Sequence, residues 1–472
     1  MRSEPTSGTW VLSIDGGREW YERVDRRSPD SGSGRRKRRP YGSTAGLTNV
    51  GAALAQTAGR SPREVQHNER ETEVKAEKKI NVALVGLRFG AEFIPIYLHH
   101  PNVASVTLCD KDAKTLSEFG DKFEISRRTD DLNAVLASED IHAVHLVTPV
   151  TVHAAQSVQV LNAGKHCACT IPMGLTLAEL RAVVDAQKRS KKNYMMMETA
   201  VYTREFFYVR DMHDRGEFGT ITFVRGAHLQ DMEGWPNYWL GFPPLVHITH
   251  AFSPCLALLK TRATKVHCFG SGQLREDLRG QYGNPFPFET AIFRLENTNV
   301  AAEVSRFMFQ TARPYTESFA VYGDRRGFEW PQLEHEKPLL FTLGSLTAHR
   351  GRPLKVERIE APDRQDVLPK EIARFTRSGV YDESKPHLSF IQGGGHGGSH
   401  PHLVHEFVSS IMEDRKPWID EIAAADWTAA GICAHESAMK DGELVVIPRF
   451  DQKVSQLSNN ADASPSDLRP MG

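Results

Sequence analysis

Between Lys79 and Asp112 the chain reads K-I-N-V-A-L-V-G-L-R-F-G-A-E-F-I-P-I-Y-L-H-H-P-N-V-A-S-V-T-L-C-D-K-D. This is an apolar β-branched strand, a glycine-bearing turn, a helix, a Pro-Asn loop and a second strand that ends in a carboxylate. Few folds accept that order. It is the βαβ unit of a dinucleotide site, in which a tight turn lets a helix N-terminus face the pyrophosphate and the acid meets the ribose. Asp110 follows Gly86 at the expected distance of about twenty residues. With Gly86 as the first glycine, Arg88 stands in the second glycine's place and Ala91 in the third's. A side chain at Arg88 crowds the phosphates, although a guanidinium can also meet them as a cation.

The alternation continues downstream. Strands are predicted at Asn81–Val85, Ser105–Cys109, Ala143–Val147, Lys165–Thr170 and Asn193–Met197. Helices fall near Gly90–His99, Ala113–Phe123, Asp131–Ala137, Val152–Ala163 and Leu177–Ser190. That rhythm predicts an α/β fold with an N-terminal Rossmann-type, doubly wound parallel sheet. Pro95 inside the first helix predicts a kink, and Thr176 with Glu179 predicts a capping box. Beyond Met197 the pattern changes to a helix at 204–215 and long β-branched runs at Ile221–Gly226, Lys265–Gly270, Thr290–Leu295, Val300–Phe309 and Ser318–Tyr322. These predict an α+β domain with a large, mostly antiparallel open sheet. The charged, proline-bearing stretch 331–393 is expected to leave that sheet. The expected division is a disordered basic tail over 1–77, a nucleotide domain over 78–198 and a substrate and oligomerisation domain over 199–400. Helices and a strand at 401–450 pack back on the core, and a polar tail covers 451–472.

Composition closes off several classes. The formal net charge of the 472 residues is −1, which steers the chain toward neither nucleic acid nor an anionic membrane. The R-R-K-R-R run Arg35–Arg39 is read as a solvated tail. The six cysteines are sparse and lack any C-x-x-C, as in a reduced, cytoplasmic protein. Cys167 and Cys169 share one strand face, which points to packing.

Four further stretches carry chemistry. V-T-P-V-T-V-H brings Thr148, Pro149 and His153 to a strand end, where ligands of such sheets bind. A-G-K-H-C-A-C-T-I-P-M brings Thr170 and Pro172 to the next. M-M-M-E-T-A-V-Y-T-R places Glu198, Tyr202 and Arg204 at the mouth between domains. V-H-I-T-H-A-F-S-P opens an apolar helix with His247 and His250. A histidine titrating near pH ~6.5 can take a hydroxyl proton, and a helix N-terminus favours its neutral, basic form. His250 is therefore the candidate base, assisted by His247 and Tyr202. The aromatic run 231–244, with Trp235, suits the apolar face of a sugar or a subunit contact. The stretch 393–407 holds His396, His400, His402 and His405 without a zinc spacing; no metal is expected, and a glycine loop closing over a ligand is.

In this order the glycine turn, the strand-end Asp, T-P-x-x-x-H, G-K-H before a Pro and a His-led helix resemble the Gfo/Idh/MocA oxidoreductases, over about Lys79 to Pro448. The resemblance implies NAD and a carbohydrate-like substrate. It also implies a homo-oligomer, with neither membrane nor nucleic acid as partner. The implied cofactor contacts are Gly86, Arg88, Phe89, Gly90, Asp110, Thr148, Pro149, His153, Thr170, Pro172 and Glu198. Asp110 favours NAD over NADP, since a carboxylate repels a 2′-phosphate. Two departures stand out. Thr170-Ile171-Pro172 replaces the family's Glu-Lys-Pro, and only the histidine of D-x-G-x-H survives, as His250. T-H-A-F-S-P is similar to the T-H-G-L-G-P of the NAD-dependent α-N-acetylgalactosaminidase-type glycosidases, as is Glu198–Arg204 to their E-N-x-x-Y-x-R run. Gly226–Asp231 matches their G-x-Y-x-H-D with His228 and Gln230 at the two variant places. Arg204, His228, Gln230, Trp235 and His396 are the implied substrate contacts. The expected activity is hydride transfer between NAD and a secondary alcohol of a sugar, sugar derivative or cyclic polyol. The alternatives are a glycosidase working by transient oxidation and elimination, and a non-catalytic nucleotide-binding regulator.

Overall fold

The computed structural model describes residues 9–15, 18–24, 79–333, 336–347, 351–377, 379 and 395–451. The first two segments are strands β1 (Thr9–Asp15) and β2 (Arg18–Val24), paired antiparallel from Thr9↔Val24 to Asp15↔Arg18. Gly16 and Gly17 separate them in the sequence. This corrects the disorder expected of residues 1–77: Trp10-Val11-Leu12 and Trp20-Tyr21 are short apolar runs set among polar residues, with no sustained period to announce a strand. The basic run Arg35–Arg39 and residues 452–472 lie outside the described residues.

From Ile80 the chain builds a six-stranded parallel sheet in the order β5-β4-β3-β6-β7-β8. Its strands are β3 (Ile80–Val85), β4 (Val103–Cys109), β5 (Arg128–Thr129), β6 (Ala143–Leu146), β7 (His166–Cys169) and β8 (Tyr194–Met196). This is the Rossmann order, with its reversal between β3 and β6. Pairing aligns the carboxyl ends, with Cys109 beside Val85, Val85 beside Leu146, Leu146 beside Cys169 and Cys169 beside Met196. The next residue of each strand therefore stands in one row along the crevice: Asp110, Gly86, Val147, Thr170 and Met197. Pro95 does not kink a helix. A 3-10 turn, Gly90–Phe93, precedes the α-helix Ile94–His99, which leaves the proline in the helix's first turn, where it costs no hydrogen bond. The Thr176–Glu179 capping box is present in both directions.

The second sheet has nine strands in the order β16-β15-β14-β13-β9-β12-β11-β10-β17. They are β9 (Ile221–Leu229), β10 (Ala263–Ser271), β11 (Phe288–Leu295), β12 (Ala301–Phe307), β13 (Thr316–Gly323), β14 (Arg326–Glu329), β15 (Leu339–Leu343), β16 (Leu354–Arg358) and β17 (Val445–Val446). All pairs are antiparallel except β9 with β12. β15 and β16 correct the expectation that 331–393 leaves the sheet, because a five-residue apolar run, Leu339–Leu343, and a five-residue alternation, Leu354–Arg358, suffice for strands at its end. Helix Thr249–Leu259 lies on this sheet with nearly every side chain buried. Its approach is set by Gly226 of β9, where an added Cβ would sit 1.8 Å from the Ala251 carbonyl oxygen. Backbone thus rests on backbone, and His250 comes down beside His228. Arg181 donates to the Arg449 and Phe450 carbonyls, and Arg262 to those of Ile447 and Pro448, so the last described segment is pinned to helix Leu177–Ser190 and to the second sheet. Among the described residues, no helix is long and apolar enough to cross a membrane.

Candidate functional site

The glycine turn is built by contact. Gly86 has φ +88°, and a Cβ there would lie 2.2 Å from the Val147 carbonyl oxygen, so only glycine lets β3 turn against the end of β6. Asp110 fixes the turn from the other side: its Oδ2 accepts from the Leu87 N–H at 2.7 Å and its Oδ1 from the Asp112 N–H at 2.9 Å. Each carboxylate oxygen keeps a second lone pair for a ribose hydroxyl. Arg88 and Phe89 are exposed and Gly90 is buried. Behind the turn, Glu92 Oε2 lies 3.3 Å from His400 Nδ1. Burial pushes Glu92 up to about 8 and His400 well below the usual imidazole range.

His153 leaves the cofactor set. Its Nε2 reaches the Thr148 carbonyl at 2.7 Å and its Nδ1 the Pro172 carbonyl at 2.9 Å. Burial opposes its charge, yet Cys169 and the two carbonyls raise it to about 9. It is a brace between two strand ends, holding Thr148-Pro149 and Thr170-Ile171-Pro172 at a fixed spacing.

Opposite these strand ends, side chains from six segments converge. His250 Nδ1–H donates to Glu198 Oε1 at 2.7 Å, and that oxygen also accepts from the Ala200 N–H at 2.9 Å. The other imidazole nitrogen faces Glu317 Oε1 at 3.5 Å, and His396 Nε2 faces the same oxygen at 3.6 Å. The His228 ring lies 5.2 Å from His250, His247 5.4 Å and His396 5.7 Å. Phe89 of the glycine turn meets His396 at 5.8 Å, and Trp239 meets His247 at 5.3 Å. The cluster therefore spans from the nucleotide turn to the aromatic loop. Glu198, assigned above to the cofactor, is in fact the buried partner of His250.

The charge state of His250 is the reverse of the one expected from its helix start. Burial opposes the imidazolium, but Glu198 and Glu317 outweigh it and raise His250 to about 9. A helix end contributes about 0.3–1 kcal/mol, whereas a full charge at 4 Å contributes roughly 4 kcal/mol at an effective dielectric of ~20. The carboxylates win. Glu198, though burial opposes its charge, is held below the usual carboxylate range by His250. His228 and His247 are pushed far down by burial and by neighbouring Arg306 and His250, so both are neutral.

Four expected residues lie elsewhere. Tyr202 points into an apolar cluster with Phe207 and Trp418, at 6.2 and 5.5 Å, and its hydroxyl has no hydrogen-bond partner among the described residues. The 3-10 turn Thr199–Tyr202 carries it away from the histidines. Arg204 donates to the Thr376 carbonyl at 3.2 Å, Trp235 is 41% exposed, and Gln230 meets the cluster only through Arg306 Nη2 at 3.2 Å. His402 and His405 part company, toward Phe207 and His100. Three groups were missed. In register, His228 stands between Arg306 of β12 and Glu317 of β13, and the Tyr315 hydroxyl donates to Glu317. The available signal was a glutamate on the buried face of an alternating strand.

Residues 80–198 match the family described as oxidoreductase family, NAD-binding Rossmann fold, the Gfo/Idh/MocA family. This segment is a Gfo/Idh/MocA NAD-binding domain. Over 408 residues the chain is 26% identical to a glycosyl hydrolase family 109 protein of Saccharopolyspora erythraea, covering 80% of this chain and 84% of that one. A glycosyl hydrolase family 109 protein of Bacteroides fragilis is 26% identical over 414 residues, covering 79% and 85%. Among solved structures, the fold is similar to levoglucosan dehydrogenase in complex with NADH and levoglucosan, with TM-score 0.63 at 20% identity over 79% of this chain and 100% of that one. It is also similar to myo-inositol 2-dehydrogenase from Lactobacillus plantarum, with TM-score 0.58 at 15% identity over 79% and 100%. The Gfo/Idh/MocA turn fits its nucleotide: the Gly86 contact excludes a side chain, Asp110 is fixed at the end of β4, and Arg88 is an exposed cation on the turn.

Proposed function

We propose that this chain catalyses hydride transfer between NAD and a ring secondary alcohol of a sugar, sugar derivative or cyclic polyol, with His250 as the group that exchanges the hydroxyl proton. The observation that carries this reading is the 2.7 Å His250–Glu198 pair on the crevice. The family's lysine position holds Ile171, so another group must move the proton. Gly86, Arg88, Phe89, Gly90 and Asp110 hold the nucleotide, with Thr148, Pro149, Thr170 and Pro172 along the nicotinamide end. NAD, when bound, supplies the hydride acceptor. Glu198 fixes the ring of His250 through Nδ1, so that Nε2 faces the substrate; charged below about pH 9, His250 gives its Nε2 proton to a carbonyl in the reducing direction and takes the hydroxyl proton in the oxidising direction after losing its own. His228 and His247, both neutral, offer hydrogen bonds to neighbouring hydroxyls, and the Trp239 ring covers an apolar sugar face. His396 closes the side nearest the glycine turn.

A second reading has its own support. The family 109 relatives span four fifths of the chain, and NAD-dependent glycosidic cleavage by transient oxidation and elimination needs the same proton-moving histidine. One experiment separates the two. Incubation with NAD and a panel of free sugars, inositols and aryl glycosides gives net NADH under the dehydrogenase reading. It gives aglycone release with no net NADH under the glycosidase reading. Neither signal with any of them sinks both.

A further inference from the structure

Three ligand-type atoms close on one point of the cluster. His250 comes from helix Thr249–Leu259, Glu317 from β13 and His396 from a turn held in the left-handed region, with φ of 49°, 62° and 80° at His396, Gly397 and Gly398. Their nitrogen and oxygen atoms all lie within 4.8 Å of one another. The His250 and His396 nitrogens stand 3.5 and 3.6 Å from one Glu317 oxygen. Those separations are long for N–H···O hydrogen bonds, which cluster at about 2.7–3.2 Å. They match the edge of a coordination tetrahedron: ligands at ~2.0–2.1 Å from a common ion lie about 3.4 Å apart.

We infer that His250, Glu317 and His396 form a binding site for one divalent transition-metal ion of the zinc class, held by two imidazoles and a carboxylate with a position open toward the substrate crevice. Two imidazoles with one carboxylate suit zinc, cobalt or iron, not magnesium or calcium, which take oxygen ligands. The surroundings have the form of a metal site's outer shell. His250 turns its second nitrogen to Glu198, the carboxylate–histidine pairing that orients metal-bound imidazoles, and Tyr315 donates to Glu317. The turn that presents His396 is packed in place, since a Cβ on Gly398 would lie 2.3 Å from the Thr376 carbonyl oxygen. Neutral His228, with both ring nitrogens buried and without a hydrogen-bond partner among the described residues, lies beside His250 and can accept from a water or hydroxyl on the ion. A fourth, open position is what distinguishes a substrate-binding ion from a structural one. With Nε2 of His250 on the ion, the hydroxyl proton would pass to neutral His228 and no longer to His250; that step rests on the reaction proposed above, whereas ion binding itself does not.

The test uses full-length protein stripped with a chelator and titrated with Co²⁺ by absorption and calorimetry, then with Zn²⁺ in competition. The expected result is one Co²⁺ per chain with the intense visible bands of four- or five-coordination, displaced by Zn²⁺. Glu317→Gln and His396→Ala should each weaken binding by roughly tenfold or more, and Glu198→Gln by about 10–100-fold. Glu317→Gln should keep the parent's NADH fluorescence and unfolding midpoint, which separates lost ligation from lost fold. Absence of stoichiometric cobalt binding, or binding that these substitutions leave unchanged, overturns the inference. Turnover of a sugar or polyol by chelator-stripped protein that binds no cobalt removes the ion and leaves the hydride reaction standing. Tight cobalt binding without turnover of any sugar or polyol does the reverse.

Discussion

The position of His250 depends on a residue that carries no chemistry, Gly226. Replacing it with alanine would put a Cβ 1.8 Å from the Ala251 carbonyl oxygen, where ordinary contact begins at 3.4 Å. The helix must therefore withdraw by about 1.6 Å, the difference of those two distances, and His250 moves with it. A displacement of that size along the His250–Glu198 bond takes it from 2.7 Å to about 4.3 Å, beyond hydrogen bonding. Overpacking of this kind costs about 1–3 kcal/mol of stability, and misplacement of a reacting group by ~1 Å costs on the order of 10²-fold in rate. In Gly226→Ala we therefore expect kcat to fall by about two decades while the NADH dissociation constant stays at the parent's value, because the glycine turn belongs to the other sheet. Steady-state kinetics, NADH fluorescence titration and a thermal unfolding curve read the three quantities separately. Parent-like kcat together with a parent-like unfolding midpoint would refute the reasoning, since the helix would then have room that its packing denies.

Further outcomes follow from the same geometry. Gly86→Ala should abolish NADH binding, because its Cβ meets the Val147 carbonyl at 2.2 Å; an unchanged titration curve would show that the turn is not the nucleotide site. Glu92, raised to about 8 by burial beside His400, keeps a proton in the folded chain that the unfolded chain releases above its ordinary 4.5. Its contribution to stability is therefore complete below about pH 4.5 and is lost as pH rises through 8. Glu92→Gln should match the parent's unfolding midpoint near pH 4.5 and exceed it at pH 8 to 9, and parallel pH curves for the two proteins count against this. Tyr202→Phe should change kcat by less than about twofold, as its ring packs on Phe207 and Trp418 away from the histidines; a loss comparable to that of His250→Ala (at least ~10²-fold) would return Tyr202 to the site. His153→Ala should leave two buried carbonyls without donors and lower the unfolding midpoint, at a cost of about 1–3 kcal/mol, which differential scanning fluorimetry can resolve.

What could be read from the sequence was local. The glycine turn, Asp110 and the capping box at Thr176 are each set by residues within one βαβ unit, so their spacing carries the geometry. The histidine at the start of helix Thr249–Leu259 was equally plain. Glu317 and Arg306 were not, because they meet His228 only through the pairing of β13 and β12 with β9, a register that no short window contains. The protonation of His250 failed for the same reason: the helix end is visible locally, whereas Glu198 and Glu317 arrive from 52 and 67 positions away (250 − 198 and 317 − 250). Tyr202 and Arg204 were expected with Glu198 at the mouth between domains, but the 3-10 turn Thr199–Tyr202 separates them from it, and no spacing in the sequence announces that turn. β15 and β16 were missed because strands at the end of a sheet need only five residues each, which charged flanks conceal.

The central claim is that a hydride moves between a ring carbon and NAD beside His250, whether the net outcome is a ketone or a cleaved glycoside. The most direct measurement loads the protein with NAD, adds substrates deuterated at the ring carbinol positions and follows deuterium into the nicotinamide by mass spectrometry. Label should enter the nicotinamide in the parent protein and at least ~10²-fold more slowly in His250→Ala. A substrate that is turned over without label ever reaching the nicotinamide would contradict it.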